Sequence, residues 1–207
     1  KKDDLKGGGL YYEYRTDDAR LTISVIKTAC QRGALALNHA EVTDFTYNEQ
    51  GKINGIQLID HIQSNQHTLR SKIVINAAGP WVDDVRNFQK STATRHLFLT
   101  KGIHIVVNRE KLPLQQSAYF DAVDQRMMFA IPRGNIVYIG TTDTPYHDNI
   151  NHPYPAHKDV EYILQSTLRM FPDYPLEKED IQSTWSGLRP LIHQKGKGPS
   201  ELSRRDE

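Results

Sequence analysis

Apolar residues along the chain fall into two periodicities, and the switches between them mark its elements. Leu21, Val25, Ile26, Ala29 and Cys30 recur at helical spacing. Thr16 stands before them as an N-cap, Asp17 and Asp18 suit the positive end of a helix dipole, and Gly33 stands where a C-cap belongs. This predicts an amphipathic helix over Asp17–Arg32. Strand patterns follow. Glu41–Tyr47 and Ile53–Asp60 flank Asn48-Glu49-Gln50-Gly51, a hairpin signal. Thr68–Ile75 reads as a third strand, ending in the continuously apolar Ile73-Val74-Ile75 that suits burial on both faces. Pro80 then opens a helix with Trp81, Val85 and Phe88 as its buried stripe. Ahead of all these, Tyr11, Tyr12 and Tyr14 suit a short strand behind the flexible Lys6-Gly7-Gly8-Gly9.

A second region starts near Arg95. Ile103, Ile105 and Val107 alternate with His104 and Val106, so His104 faces away from the isoleucines. Ser117–Asp121, Met127–Ile131 and Ile136–Thr141 read as strands, the last two joined by a tight turn at Arg133-Gly134-Asn135. Val160, Ile163, Leu164, Thr167, Leu168 and Phe171 form a periodic helix, and a last strand runs near Asp180–Leu188. Successive strands with a single helix predict a mostly antiparallel sheet. The expected organisation is therefore a partial α/β cofactor domain over 1–94, an antiparallel-sheet substrate domain over 95–190, and a segment 191–207 that returns towards the first.

Composition narrows the function classes. The chain has 207 residues and a formal net charge of +1. No Lys/Arg block exceeds two residues, so no nucleic-acid footprint is evident. The lone Cys30 rules out an intrachain disulfide and argues against a cysteine-built metal site; no histidine pair has metal-ligand spacing on a helix. No apolar run approaches the roughly 20 residues of a membrane span. The chain opens on Lys1 and closes on the charged Ser203-Arg204-Arg205-Asp206-Glu207, which reads as a piece cut from a longer protein, with a processed first end as the alternative.

Three stretches carry candidate chemistry. Asn76-Ala77-Ala78-Gly79-Pro80-Trp81 puts small residues between an apolar strand and a helix, where backbone can approach a ligand; a plain strand–helix turn has the same pattern. His104 sits mid-strand among apolar neighbours. It suits a general base near neutral pH, or a hydrogen-bonded histidine at a sheet edge. Arg189 lies in Trp185-Ser186-Gly187-Leu188-Arg189-Pro190-Leu191, and an arginine in an apolar strand end needs an anionic partner, either a substrate group or a salt-bridge carboxylate. Arg204 after Ser200-Glu201-Leu202-Ser203 follows the same logic. Thr141-Thr142-Asp143-Thr144-Pro145 reads as a polar turn able to carry a site residue. The chain contains no GxGxxG, Walker, HExxH or GxSxG motif.

In their order, these motifs resemble the aerobic, FAD-dependent glycerol-3-phosphate dehydrogenases and the related α-glycerophosphate oxidases. The matching stretches are Tyr14–Thr22, Asn76–Asp83, Leu99–Val107, Phe129–Arg133, Ile139–Thr144, Trp185–Leu191 and Ser200–Arg204. The lysine–glycine–histidine strand together with Ser-Gly-Leu-Arg-Pro-Leu is the most specific part. The resemblance implies an α/β (α+β) fold, in which part of a doubly wound FAD/NAD(P)-binding domain joins a D-amino-acid-oxidase-like antiparallel sheet. It also implies that the glycine-rich strand–turn–helix for the FAD pyrophosphate, and a later Gly-Gly-Lys segment, belong to chain outside these residues.

By position, the resemblance places the backbone of Val42 at the adenine side of FAD and Ala77, Ala78 and Gly79 along the dinucleotide. It places His104 in the substrate pocket, and gives Arg189 and Arg204 the charged end of the substrate. The implied reaction oxidises sn-glycerol 3-phosphate to dihydroxyacetone phosphate. Hydride passes to FAD, a base takes the hydroxyl proton, and quinone reoxidises the flavin. The implied setting is a cytoplasmic, peripheral protein at the inner face of the cell membrane. The rival readings are a flavin oxidase of the same fold acting on amines or amino acids, and a non-catalytic module; the isolated chain is expected to be inactive.

Overall fold

In the computed structural model, which describes residues 6–89 and 97–192, the first helix starts one residue beyond Thr16's expected position as its cap. Asp17 is the N-cap, its carboxylate accepting the Arg20 backbone N–H at 3.1 Å. An ionised side chain makes the stronger bond to that donor. Helix α1 (Asp18–Gln31) closes at Gly33, whose φ of 94° lies in the region that favours glycine. Its periodicity is as read, but its stripe is not covered: Leu21, Val25 and Ile26 are 55%, 60% and 41% exposed. Tyr11, Tyr12 and Tyr14 form no strand and their side chains are exposed.

The hairpin forms where its pattern places it, with β1 (Ala40–Tyr47) antiparallel to β2 (Ile53–Asp60). Asn48 sets the turn by accepting the backbone N–H groups of Gln50 and Lys52, and Gly51 takes a φ of 72°. The third strand differs from expectation. β3 is Asn65–Arg70, paired to β2 and exposed throughout, while Ile73 and Ile75 lie in irregular chain at 77% and 84% exposure. A continuous apolar run becomes a buried strand only between two pairing neighbours. No strand among the described residues pairs with it.

The chain packs as two compact units, Lys1–Ile75 and Asn76–Glu207. The expected regions 1–94 and 95–190 divide the chain by role; packing divides it earlier. Segment 76–89 belongs to the second unit because its side chains are tied there. Trp81 donates its indole N–H to Asn151 at 2.8 Å, and Asp83 accepts the Leu97 backbone N–H at 3.0 Å. This segment holds a 3₁₀ turn (Gly79–Trp81) and the five-residue helix α2 (Val82–Arg86). Of its expected stripe, Val85 and Phe88 are half-buried and Trp81 is 40% exposed.

The second unit is built on β4 (Leu97–Asn108), β5 (Ala118–Asp121), β6 (Met127–Arg133), β7 (Ile136–Gly140), β8 (Thr144–Pro145), helix α3 (His157–Met170) and β9 (Ile181–Ile192). All the pairings are antiparallel. β9 covers one edge of β4 along nearly its whole length, so it outruns the expected Asp180–Leu188 and keeps Leu191 buried in the sheet. The other edge of β4 is shared: β7 pairs with His104–Asn108 and β8 with Thr100–Lys101. Between them Thr142 replaces the ladder, its hydroxyl accepting the Ile103 N–H and donating to the Lys101 carbonyl, both at 3.1 Å.

Alternation along β4 separates core from site. Ile103, Ile105 and Val107 are fully buried with Met128, Val137, Ile139 and, from α3, Ile163. Burying a side chain of this size contributes roughly 1.5–3 kcal/mol. Lys101 shares that face, and its ammonium reaches Asp159 in the first turn of α3 at 2.7 Å. Asp159 also accepts the Ala156 N–H and the Thr144 hydroxyl, so the buried carboxylate is satisfied. No helix among the described residues is long and apolar enough to cross a membrane.

Candidate active site

The opposite face of the same sheet carries a cross-strand row. Register aligns Tyr119 of β5, Phe129 of β6, Gly140 of β7, His104 of β4 and Trp185 of β9. The His104 imidazole lies over Gly140; a Cβ there would collide with its ring. It stacks on Trp185 with centroids 4.7 Å apart and planes 14° from parallel, and meets Phe129 at 5.4 Å and the edge of Tyr138 at 6.5 Å. Such aromatic contacts contribute roughly 0.5–1.5 kcal/mol each beyond burial. His104 Nδ1 is buried without a hydrogen-bond partner. The reading of His104 as a hydrogen-bonded edge histidine therefore fails on both counts: β4 is an interior strand, and this ring nitrogen is unpartnered. An unpaired buried polar atom is costly and calls for an explanation.

Burial first, and the Arg189 charge second, hold the His104 imidazolium pKa down at about 4. The ring is neutral at physiological pH and only weakly basic. The loss of water is the larger cause.

Arg189 pairs with Thr100 across β9 and β4, on the His104 face. Its guanidinium crosses β4 over Gly102 and ends on the loop that separates β7 from β8. Nη1 donates to the Thr142 carbonyl at 3.0 Å and to the Asp143 carboxylate at 3.3 Å, and Nη2 donates to the Thr141 hydroxyl at 3.0 Å. Arg189 thus has a carboxylate partner within the chain. The Asp143 carbonyl also accepts from Arg126, which is itself bound to Asp124. Thr141–Asp143, read from sequence as a polar turn, is the anchor of the arginine. Asp143, shortly beyond a strand end, was the signal for that role.

The remaining expected site residues fall in three places. Ala77, Ala78 and Gly79 precede and begin the 3₁₀ turn, which packs against β9, the strand of Arg189. Ala78 donates its N–H to Asn76 at 3.2 Å, Gly79 has φ 55°, and nothing stands within 4 Å of where a Gly79 Cβ would be. This stretch fits the close approach of a dinucleotide, since no side chain larger than a methyl stands on it. The helix that follows is too short to act as an anion site in its own right. Val42 belongs to the other unit, half-buried on β1 beside a break in register before Asp44. Arg204 lies outside the described residues, as does all of segment 191–207 beyond Ile192.

The sheet thus has one helix-packed face and one face bearing histidine, arginine and aromatics. The chain belongs to the FAD dependent oxidoreductase (DAO) family, whose profile matches residues 1–200. Within it the chain is similar to the aerobic glycerol-3-phosphate dehydrogenases. It is 49% identical over 209 residues to that of Staphylococcus aureus (strain USA300) and 50% over 208 residues to that of Staphylococcus haemolyticus (strain JCSC1435). Each alignment covers 100% of this chain and 37% of the relative.

The fold is similar to the X-ray structure of the glycerol-3-phosphate dehydrogenase from Bacillus halodurans complexed with FAD. The TM-score is 0.88 at 49% identity, over 93% of this chain and 39% of that one. L-proline dehydrogenase from P. horikoshii shares the fold alone, with TM-score 0.60 at 14% identity over 86% of this chain and 44% of that one. The chain thus spans well under half the length of the curated relatives it matches.

Proposed function

We propose that this chain forms the substrate-binding sheet of an aerobic, FAD-dependent glycerol-3-phosphate dehydrogenase, which oxidises sn-glycerol 3-phosphate to dihydroxyacetone phosphate. The observation that carries this reading is the pairing of Arg189 and His104 on one sheet face. A guanidinium held by a loop fixes a positive charge on the His104 face, and guanidinium is a group that recognises phosphate oxygens. A neutral imidazole beside it accepts a hydrogen bond from a hydroxyl. Arg204 joins Arg189 at the charged end of the substrate. Val42 and Ala77–Gly79 hold FAD, which when bound supplies the hydride acceptor. His104 holds the substrate hydroxyl or takes its proton.

The electron acceptor is quinone. The whole protein is cytoplasmic and works in glycerol metabolism as a peripheral protein at the inner face of the cell membrane. The resemblance to the aerobic enzymes supports this part.

The test uses the whole protein that contains this chain. Under anaerobic conditions, glycerol 3-phosphate should bleach its flavin absorbance, whereas amines and amino acids should not. Bleaching by an amino acid and not by glycerol 3-phosphate would overturn the reading.

A further inference from the structure

We propose that Gly102 is a positioning residue, whose missing side chain is the passage by which the Arg189 guanidinium crosses β4. Arg189 starts on β9 at one edge of β4, and the Thr142 carbonyl, Asp143 carboxylate and Thr141 hydroxyl to which it donates lie on the loop at the other edge. Gly102 lies between them. A Cβ built there would stand 2.5 Å from both Nη1 and Nη2 and 2.7 Å from Cζ of Arg189.

The backbone does not itself require glycine. Gly102 sits mid-strand, pairs in register with Gly187, and has no left-handed φ. An L-residue fits such an extended backbone, and alanine there is favoured over glycine because it loses less freedom on folding. Gly187 across the ladder has nothing within 4 Å of its would-be Cβ, so the constraint is particular to Gly102. The three nearest obstructing atoms all belong to the far end of one flexible side chain. A side chain at position 102 can therefore be accommodated by the fold, but only by lifting the guanidinium from Thr141, Thr142 and Asp143.

The consequence for turnover rests on the proposed role of Arg189; the steric relation does not. Four versions of this chain separate the two: wild type, Gly102→Ala, Arg189→Ala and the double variant, each unfolded in urea. With Arg189 present, Gly102→Ala should lower the urea midpoint, because it evicts the guanidinium. In the Arg189→Ala background, the same change should leave the midpoint unchanged or raise it. If Gly102→Ala does not fold, Arg189→Ala should restore folding. The same effect in both backgrounds, or no rescue, would overturn the proposal.

In the whole enzyme, Gly102→Ala should lower kcat/KM for glycerol 3-phosphate as Arg189→Ala does, by about ten- to more than a hundredfold. The double variant should be no worse than the poorer single. Full additivity would overturn the proposal. An Arg189→Ala variant with wild-type turnover would instead remove Arg189 from the substrate, while the urea comparison still decides the role of Gly102.

Discussion

The His104 imidazole stacks on the Trp185 indole, with centroids 4.7 Å apart and planes 14° from parallel, and with the Arg189 charge on the same face. Burial first, and a like charge second, oppose protonation. The folded chain therefore holds His104 at about 4, against an ordinary 6.5. Between those values the unfolded chain takes up a proton that the folded chain refuses. The stability due to neutral His104 is complete above pH 6.5 and declines as pH falls through this window to about 4. His104→Gln should flatten the dependence of Tm on pH between those limits, relative to wild type. Parallel Tm curves for the two would show that His104 titrates normally.

Lys101 and Asp159 predict a different kind of stability effect. Their side chains are 7% and 2% exposed, and the ammonium also donates to the Tyr154 carbonyl at 2.9 Å. Removing one partner strands a buried charge, at a cost of about 3–5 kcal/mol. Lys101→Met should lower stability to urea by that amount. The double variant with Asp159→Leu should lose less than the two singles together, because neither charge is then left alone. A loss under about 1 kcal/mol for Lys101→Met would mean that water reaches the pair.

What could be read from the sequence was local. The helix at Asp18–Gln31, the hairpin around Asn48–Gly51 and the alternation of Ile103, His104 and Ile105 follow from periodicity and turn chemistry. The sheet face shared by His104 and Arg189 follows from register, which alternation fixes within each strand but not between strands. The seats of the two side chains were not legible. Gly102 and Gly140 look like ordinary strand glycines until the side chains that cross them are in place. Ile73-Val74-Ile75 misled for the opposite reason: its pattern reports a buried strand, and burial depends on neighbours that the described residues do not provide.

Flavin retention by this chain is predicted to be weak. Ala77–Gly79 offer backbone to a dinucleotide, but the chain has no glycine-rich strand–turn–helix to supply pyrophosphate-binding N–H groups. After incubation with FAD and desalting, the purified chain should be colourless and show little absorbance near the flavin visible bands. One flavin retained per chain would show that these residues suffice.

The role of His104 in turnover separates into two outcomes in the whole protein. As the base for the substrate hydroxyl, it would take a proton on a nitrogen whose basicity burial and Arg189 have lowered. As a clamp, it would only hold that hydroxyl in line. Removing a base lowers kcat by about 10²–10⁴ and erases the acidic limb of its pH profile. That limb would lie well below the ordinary histidine range, near the about 4 at which His104 is held. Removing a clamp mainly raises KM and leaves the limb in place. The aromatic seat favours the clamp: a ring stacked on Trp185 and flanked by Phe129 is fixed in plane, while its low basicity makes it a poor proton acceptor. His104→Gln should therefore raise KM for glycerol 3-phosphate and leave the rate of flavin reduction, followed by stopped flow at saturating substrate, within about tenfold of wild type. A fall in that rate of more than about a hundredfold, with loss of the acidic limb, would assign the proton transfer to His104.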